Sequence, residues 1–521
     1  MAEVSYTLTE LADNVKKFLV SGQLRMKDKK SAKSIIEALM FFLAYPQSAE
    51  AERIAEKRLA SVTRFLKSAS KKQKLIFENT GMPFTNLKVQ FTHDFLQWLQ
   101  SHDGCKVILE TSASEMPDLN SLLYTTLTSA ERTETSAGLD NDDLFQTLGV
   151  KQDKQLSFLL NEFNRLNQVP LVKDFLFDSL ALLCALQPED KKFSLAYNRF
   201  RQAPVYYHRD LLKKFDHEKL ISAKIPLPLK LDAQTKKNLV DTIKKSMALT
   251  NRETDTVTYM DENSLRYIEL ERGIAVAVYG MTPERQLPFE SYIGYTLFKN
   301  GYPCAYGGSW VFGRRALFGI NIFDWFRGGE SGYVFCQLLR VYRQYFGIDD
   351  FEVEPYQYGQ DNPDGIKSGA FWFYYRYGFR PVDSTLRVLA AKEAERIRSD
   401  KNYRTSERTL IQFTESNIAW AIKPVSQIRL ENITKKISHY IQKKYHGNRL
   451  KAEEESVIAF SNLVKKKIKN VTPSIVEAAL WCCAYEITKP KEVNLLYQMS
   501  KAKPVDPYRY QQLLLKLLNA E

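Results

Sequence analysis

The sequence predicts an α+β fold in which a mixed β-sheet is flanked by helical regions on its N-terminal and C-terminal sides. Residues 1–249 show apolar positions at helical spacing in "LADNVKKFL", "SAKSIIEALMFFLAYP" and "TKKNLVDTIKKSMAL". From about residue 250 the pattern changes to alternating and aromatic-rich runs, and helical spacing returns from residue 426. We therefore expect a helical domain at 1–249, a sheet-containing domain at 250–425 and a basic helical region at 426–521.

The composition predicts packed cores and a surface that favours anionic partners. The 521 residues are 44% hydrophobic and 12% aromatic, which is enough to fill the cores of two or three domains. The formal net charge is +13 at pH 7, and residues 426–521 contribute 17 Lys/Arg against 9 Asp/Glu. This charge favours nucleic acid, phosphorylated cofactors or acidic proteins, with ordinary solubilising charge as the alternative.

The sequence predicts a cytoplasmic protein with no membrane span and no bound metal. The six cysteines lack C-x-x-C spacing and lie mostly in apolar runs, as reduced core cysteines do. The first residues include acids where a signal peptide has a basic and then an apolar run. The longest apolar stretches, "IIEALMFFLAY" and "FLFDSLALLCAL", are shorter than a bilayer span. The oligomeric state is not indicated.

Turn signals predict the first part of the sheet. Asn300-Gly301 lies between two aromatic-rich segments, and both central positions of such a hairpin turn need positive φ. Gly313-Arg314 indicates the next turn. Three consecutive antiparallel strands are therefore expected, and "DTVTYMD" at 255–261 is a further strand signal.

A glycine cluster, "RGGESG" at 327–332, follows the third of these strands. A helix is expected at about 330–346, then a strand at 350–356, a polar loop, and a second helix that ends at Gly378. The first helix is long enough for a right-handed crossover, so the strands on either side of it should be parallel. The segment "NIAWAIKP" at 417–424 is expected to return as the last strand of this mixed sheet.

Two roles suit the glycine cluster. Glycines before a helix start let a phosphate approach unpaired amides at the positive end of the helix dipole, and Arg327 would add a positive charge. Alternatively, Gly328, Gly329 and Gly332 build a tight turn and allow close packing. The spacing does not fit a dinucleotide-binding G-x-G-x-x-G turn, and "GIKSG" at 365–369 departs from the P-loop pattern.

The order of these elements, together with two motifs, resembles the GNAT acyltransferase superfamily across about residues 250–425. "RGGESG" takes the place of the family's Arg/Gln-x-x-Gly-x-Gly/Ala turn, which holds the cofactor pyrophosphate. Glu330 departs from that pattern, because a carboxylate in the place of a glycine would repel a phosphate unless it faces away. The second motif is the family's A-x-x-x-Y-x-x-x-G-F helix, matched here by Ala370, Tyr374, Gly378 and Phe379.

The resemblance implies transfer of an acyl group from a thioester to an amine or, less often, a hydroxyl acceptor. The implied donors are acetyl-CoA, a longer acyl-CoA, or acyl-phosphopantetheine on an acidic acyl carrier protein. Tyr374 is the expected general acid for the departing thiolate, with Tyr375 or Tyr377 as alternatives. The implied cofactor-binding residues are Asn321, Ile322, Phe323, Arg327, Gly328, Gly329, Ser331 and Gly332.

Two carboxylates are candidates for the base that deprotonates the acceptor amine. Alternation in the strand at 350–356 places Glu352, Glu354 and Tyr356 on one face. Glu354 lies nearer the C-terminal end of the strand, where ligands of such sheets bind. Asp324, just past the neighbouring strand, is a comparable candidate. Each of these carboxylates is otherwise explained as a solvated surface group.

A second functional class stays open, namely a non-catalytic GNAT-like interaction protein that binds nucleic acid or another anionic partner. "ITKKISHYIQKKYHGNRLK" and "NLVKKKIKNV" would supply the positive charge for a phosphate backbone. Such runs are otherwise the solvated faces of amphipathic helices. All six histidines lie outside residues 250–425, which argues against a histidine-dependent hydrolase centred there.

Overall fold

The computed structural model of the chain describes residues 13–24, 26, 28–327, 329–423 and 428–518. Within these residues the protein is an α+β structure in which a large mixed sheet is flanked by helices from both sides of the sequence, which confirms the predicted fold class at that level. No helix in the described ranges is long and apolar enough to cross a membrane.

The N-terminal region contains a small sheet that the sequence patterns did not predict. Strands β1 (Leu87–Val89), β2 (Cys105–Leu109) and β3 (Cys184–Pro188) pair in the order β1-β3-β2, and both pairings are antiparallel. The expectation of an all-helical region at 1–249 is therefore wrong at these strands. Because the central strand β3 is buried on both faces, it lacks the alternation that reveals a half-exposed strand.

Helices form the rest of the N-terminal region. They are α1 (Asp13–Ser21), α2 (Lys29–Ala44), α3 (Ala49–Ser68), α4 (Lys71–Lys74), α5 (His93–Gln100), α6 (Leu119–Leu123), α7 (Arg132–Ser136), α8 (Asn141–Thr147), α9 (Gln155–Phe163), α10 (Pro170–Asp178), α11 (His217–Ser222), α12 (Ala233–Thr250) and α13 (Asp255–Thr258). The predicted strand at 255–261 is wrong in its first half, because residues 255–258 form α13 and the strand begins at Met260.

The large sheet has the strand order β11-β12-β10-β8-β7-β6-β5-β4, with β9 paired to β7. Its strands are β4 (Met260–Glu269), β5 (Ile274–Met281), β6 (Ser291–Lys299), β7 (Tyr302–Phe312), β8 (Arg315–Phe318), β9 (Asn321–Ile322), β10 (Asp350–Val353), β11 (Arg380–Pro381) and β12 (Ile418–Ala421). Among these strands β8 and β10 form the one parallel pair.

The predicted turns and crossover are confirmed. Asn300 and Gly301 both have positive φ (46° and 86°) between β6 and β7, and Gly313 (φ 58°) precedes β8. Helix α14 (Ser331–Phe346) connects the parallel strands β8 and β10, and β12 returns antiparallel to β10. Local turn chemistry and helical spacing were therefore sufficient to place the centre of the sheet.

Two elements after α14 differ from the prediction. Strand β10 ends at Val353 instead of 356, because Pro355, which has no N–H to donate, begins a short helical turn. The predicted second helix is broken at Gly369, where φ is 64°. The helices that follow α14 in this region are α15 (Pro363–Ser368), α16 (Ala370–Arg376), α17 (Ser384–Ser399) and α18 (Glu407–Phe413).

The C-terminal region is helical, as expected, and has its own apolar cluster. The N-terminal region and the large sheet share one continuous core, whereas the C-terminal helices enclose a second one that includes Phe289 and Phe312 of the sheet region. The C-terminal helices are α19 (Leu430–Tyr445), α20 (Arg449–Val464), α21 (Pro473–Ala484), α22 (Pro490–Ala502) and α23 (Pro507–Leu518).

Candidate functional site

Helix α14 begins a few residues after β9, and a short helical turn at Asp324–Phe326 lies between them. The chain leaves β8, is interrupted at Gly319 and Ile320, and pairs again with β7 as β9 before reaching α14. The first amides of a helix have no intrahelical acceptor. Glu330 occupies the N-cap position, but its side chain makes no cap hydrogen bond within the described residues.

Aromatic side chains lie against the two described glycines of the cluster. A Cβ atom at Gly329 would lie 2.7 Å from the ring of Tyr45, and one at Gly332 would overlap the hydroxyl of Tyr377. These contacts favour the packing role of the glycines over the phosphate-binding role. Gly328 lies outside the described residues.

The carboxylate of Glu330 faces the interior. Its Oε2 accepts a hydrogen bond of 2.6 Å from Lys299 Nζ, and its Oε1 accepts bonds from Arg272 Nε at 2.8 Å and the Leu212 N–H at 2.9 Å. The side chains of Glu330 and Lys299 are both 0% exposed. Burial alone would raise the pKa of Glu330, but the nearby His208 and the charges and hydrogen bonds of Lys299 and Arg272 hold that pKa far below its usual value.

The charges around Glu330 sum to a positive value. Burial lowers the pKa of Lys299 to about 8, which leaves its amine mostly charged at neutral pH beside the Arg272 guanidinium. Two cations against one carboxylate give this cluster a net charge of about +1. The repulsion expected from an acid in the phosphate motif is therefore compensated, because Glu330 faces away from solvent and is paired.

Two residues from the N-terminal region complete this cluster. The N–H of Glu330 donates to the Tyr45 hydroxyl at 3.4 Å, and His208 Nε2 lies 3.7 Å from Glu330 Oε2. His208 is 2% exposed, burial lowers its pKa, and neither ring nitrogen has a hydrogen-bond partner in the described part of the chain. Although the histidines lie outside residues 250–425 in sequence, this one contacts the sheet-containing region.

Tyr374 reaches the interruption between β8 and β9. It is 3% exposed, and its hydroxyl lies near the backbone N–H of Ile320. Burial raises the pKa of Tyr374 well above its ordinary value, so the phenol stays protonated at neutral pH. Tyr375, one of the alternatives, instead stacks under the Arg380 guanidinium at 3.6 Å.

The two parallel strands separate at their C-terminal ends. Strands β8 and β10 pair from Arg315–Asp350 to Leu317–Glu352, and beyond that point β9 pairs with β7 instead. A Cβ at Gly319 would lie 2.7 Å from Cδ of Gln357, so the side chain of Gln357 lies against the interrupted strand. Gln357 and Tyr374 therefore border the place where the strands diverge.

The remaining predicted cofactor residues lie around the turn before α14. Arg327 Nη2 forms an ion pair of 3.0 Å with Asp324, and both side chains are exposed. The Ser331 hydroxyl donates to the Arg327 carbonyl at 2.9 Å. Asn321 is exposed, Ile322 is half-buried, and Phe323 is buried and stacked on Trp325.

Glu354 lies at an open cleft at the C-terminal end of β10. The cleft has a volume of about 480 Å³ and carries a second carboxylate, Glu415. The Tyr358 hydroxyl donates to the Ser416 carbonyl at this edge, and burial, with a smaller contribution from the Tyr374 phenol, raises the pKa of Tyr358. The lining residues are Glu354, Pro355, Tyr356, Gln360, Thr414, Glu415, Ser416 and Asn417.

Local sequence patterns point to Tyr374, Glu354 and the turn before α14 as candidates, but not to the partners of Glu330. Tyr45, His208 and Arg272 are distant in sequence, and nothing local relates them to residue 330. One signal was present, because Lys299 is a lysine at the end of an otherwise apolar and aromatic strand. A charged residue at such a position needs a buried partner.

No metal-binding group is found among the residues that the structure describes, counting sets of three or more His, Cys, Asp or Glu side chains. The six cysteines are free, and five of them are buried. Comparisons with protein-family models, curated proteins and solved structures return no match for this chain.

Proposed function

We propose that this chain is an acyltransferase with a GNAT-like core that moves an acyl group from a thioester to an amine or hydroxyl acceptor. The order of elements supports the resemblance on which this proposal rests. Three antiparallel strands, the turn before α14, the parallel strand β10 and the helix α16 follow one another in the large sheet region.

The proximity of the Tyr374 hydroxyl to the Ile320 N–H is the observation that carries the proposal. Acyl transfer from a thioester needs a donor that polarises the carbonyl oxygen and an acid that protonates the departing thiolate. The N–H of Ile320 and the hydroxyl of Tyr374 lie near each other at the interrupted strand and would supply one group of each kind. Burial keeps the phenol protonated at neutral pH, so Tyr374 holds a proton for transfer to the thiolate.

The cleft at Glu354 suits the acceptor. Its two carboxylates would attract a protonated amine, and Glu354 would accept the proton that the amine must lose before it attacks. The amine nitrogen then bonds to the thioester carbonyl carbon, and the carbon–sulfur bond breaks. The thiolate takes the Tyr374 proton, which is replaced from solvent.

The donor is a CoA or acyl-carrier-protein thioester. Lys299 and Arg272 compensate the charge of Glu330, and Arg327 is paired with Asp324, so the positive end of the helix dipole is the feature at the start of α14 that favours a phosphate nearby. Packing contacts already explain Gly329 and Gly332. A carrier-protein donor has a single phosphate and therefore needs fewer contacts from this turn than the pyrophosphate of CoA.

Thiol release tests the proposal directly. The full chain is mixed with acetyl-CoA, a long-chain acyl-CoA or an acyl carrier protein, with and without a primary amine. We expect release that depends on the amine and falls by about 100-fold in Tyr374→Phe. Tyr375→Phe is the matched control and should keep its rate. Absence of release with every donor, or an unchanged rate in Tyr374→Phe, would refute the proposal.

A second candidate function is binding of nucleic acid by the C-terminal helices, with the sheet as a non-catalytic support. Lys435, Lys436, Lys443 and Lys444 of α19 are exposed, and none forms an ion pair within 4 Å of a carboxylate in the described part of this region. Steeply salt-dependent retention of DNA or RNA that Tyr374→Phe leaves unchanged would favour this function.

A further inference from the structure

Helix α10 turns a charged side chain inward and apolar side chains outward. Lys173 is 2% exposed, whereas Leu171 and Phe175 are 73% and 75% exposed. A surface helix ordinarily buries its apolar stripe and exposes its charges. A single exposed leucine is ordinary, but a helix that buries its lysine and exposes its apolar side chains needs a structural reason.

Specific contacts fix the orientation of α10. Lys173 Nζ donates to both carboxylate oxygens of Asp94 and to Asn167 Oδ1, each at 2.9 Å. Phe177 packs edge-on against the rings of His93 and Phe163, with centroids 5.2 Å apart in both cases. Rotating the helix to bury Phe175 would remove Lys173 from all of these partners. The outward apolar face is therefore built into the structure.

The exposed apolar side chains form one stripe. Leu171 and Phe175 are one turn apart, Val172 lies three residues before Phe175, and Val169 continues the stripe beyond the helix start. These four side chains extend over roughly 9 Å along the helix axis. A contiguous exposed patch of this kind marks an interaction site more often than scattered apolar residues do.

Carboxylates border the C-terminal end of the stripe. Burial and the neighbouring Asp174 and Asp255 raise the pKa of Asp178, and burial and Asp174 raise the pKa of Asp255. Arg285 pairs with Asp174, so one cation compensates part of a group of three acids. This edge is locally negative, although the chain as a whole has a net charge of +13.

We propose that the outward face of α10 binds an amphipathic helix of another protein, one that carries lysine or arginine beside its apolar stripe. The apolar stripe would pack against apolar side chains at i, i+3, i+4 and i+7, while the Asp178 edge would attract the basic flank. A second copy of this chain is the competing occupant, and parallel pairing of α10 with itself would bring acidic edges of the same sign together. The basic helix α19 already buries its own apolar side chains Ile433 and Ile437.

Binding of designed peptides tests this inference. A labelled helical peptide of about 18 residues carries leucine at i, i+3, i+4 and i+7 with lysine elsewhere, and a second peptide carries glutamate in place of lysine. Fluorescence anisotropy with the full chain should show binding of the lysine peptide, weakened at least about tenfold by Phe175→Ser. The glutamate peptide should bind at least about tenfold more weakly, and Asp178→Asn should reduce that difference.

The control is Leu227→Ser, which alters an exposed leucine elsewhere (86% exposed) and should leave peptide binding unchanged. Equal binding of the lysine peptide to Phe175→Ser, equal binding of the two peptides, or no binding of either would overturn the proposal. Self-association in sedimentation velocity that Phe175→Ser abolishes would also overturn it, because the occupant would then be a second copy of this chain.

Discussion

The start of α14 and the surface of α19 use lysine in opposite ways. Lys299 is buried, hydrogen-bonded to Glu330, and surrounded by residues from distant parts of the sequence. Lys435 and Lys443 are exposed residues about two turns apart on α19, with no carboxylate partner among the described residues of that region. The first arrangement commits positive charge to the fold, and the second leaves it available to a partner. Basic residues therefore do not all contribute to the same property of this protein.

The largest effect should follow from removing the anion of the buried cluster. Glu330→Ala leaves Lys299 buried without its partner, and we expect a loss of about 3–5 kcal/mol in the free energy of unfolding, measured by urea titration. Glu415→Ala, which removes an exposed carboxylate at the cleft, should change stability by less than about 0.5 kcal/mol. Equal stabilities of the two variants would mean that the buried, paired Glu330 contributes no more to the fold than the exposed Glu415 does.

The next largest effect should come from the glycine at the start of α14. Gly332→Ala places a methyl group on the Tyr377 hydroxyl, and we expect a loss of about 1–3 kcal/mol from overpacking. Combining it with Tyr377→Phe, which removes that hydroxyl, should restore part of the stability in a double-mutant cycle. Additive losses would mean that the glycine serves something other than this packing contact.

A smaller effect on stability is expected from changes to the exposed lysines of α19. Lys435→Glu combined with Lys443→Glu should leave stability within about 0.5 kcal/mol of the parent. If the second candidate function holds, affinity for duplex DNA at about 50 mM salt should fall at least tenfold, and the salt slope should decrease by about 2. Anisotropy titrations measure both quantities, and the exposed Lys516→Glu is the matched single-charge control on α23.

The smallest effect concerns Glu290, a half-buried acid between the sheet and the C-terminal helices. Burial raises the pKa of Glu290 from 4.5 to about 7, so its contribution to stability is complete below about pH 4.5 and is lost as the pH rises through 7. Glu290→Gln should therefore be more stable than the parent by on the order of 1 kcal/mol at about pH 8 and equal to it near pH 4. Thermal midpoints at both pH values measure this, and an equal difference at both would exclude titration of Glu290 as its cause.

Local signals predicted much of the large sheet and little of what surrounds it. Asn300-Gly301 fixed a hairpin because its turn chemistry depends on two adjacent residues, and the spacing of α14 fixed a crossover. The small N-terminal sheet was missed because its central strand β3 is buried on both faces. The site was predicted in part, since Tyr374 lies on a recognisable helix, whereas Glu330 acquires its role through Tyr45 and His208, which only the tertiary structure brings near.

The cluster at Glu330 also determines how the chain can be divided. It joins residue 45, residue 208 and the sheet in one buried set of contacts, and the same apolar core continues from the N-terminal helices into the sheet. A cut near residue 250 would leave Glu330, Lys299 and Arg272 on one fragment and remove the side chains of Tyr45 and His208 that pack against them. The first 420 residues should thus melt in a single cooperative transition, and neither fragment should be obtained in soluble, monomeric form by itself.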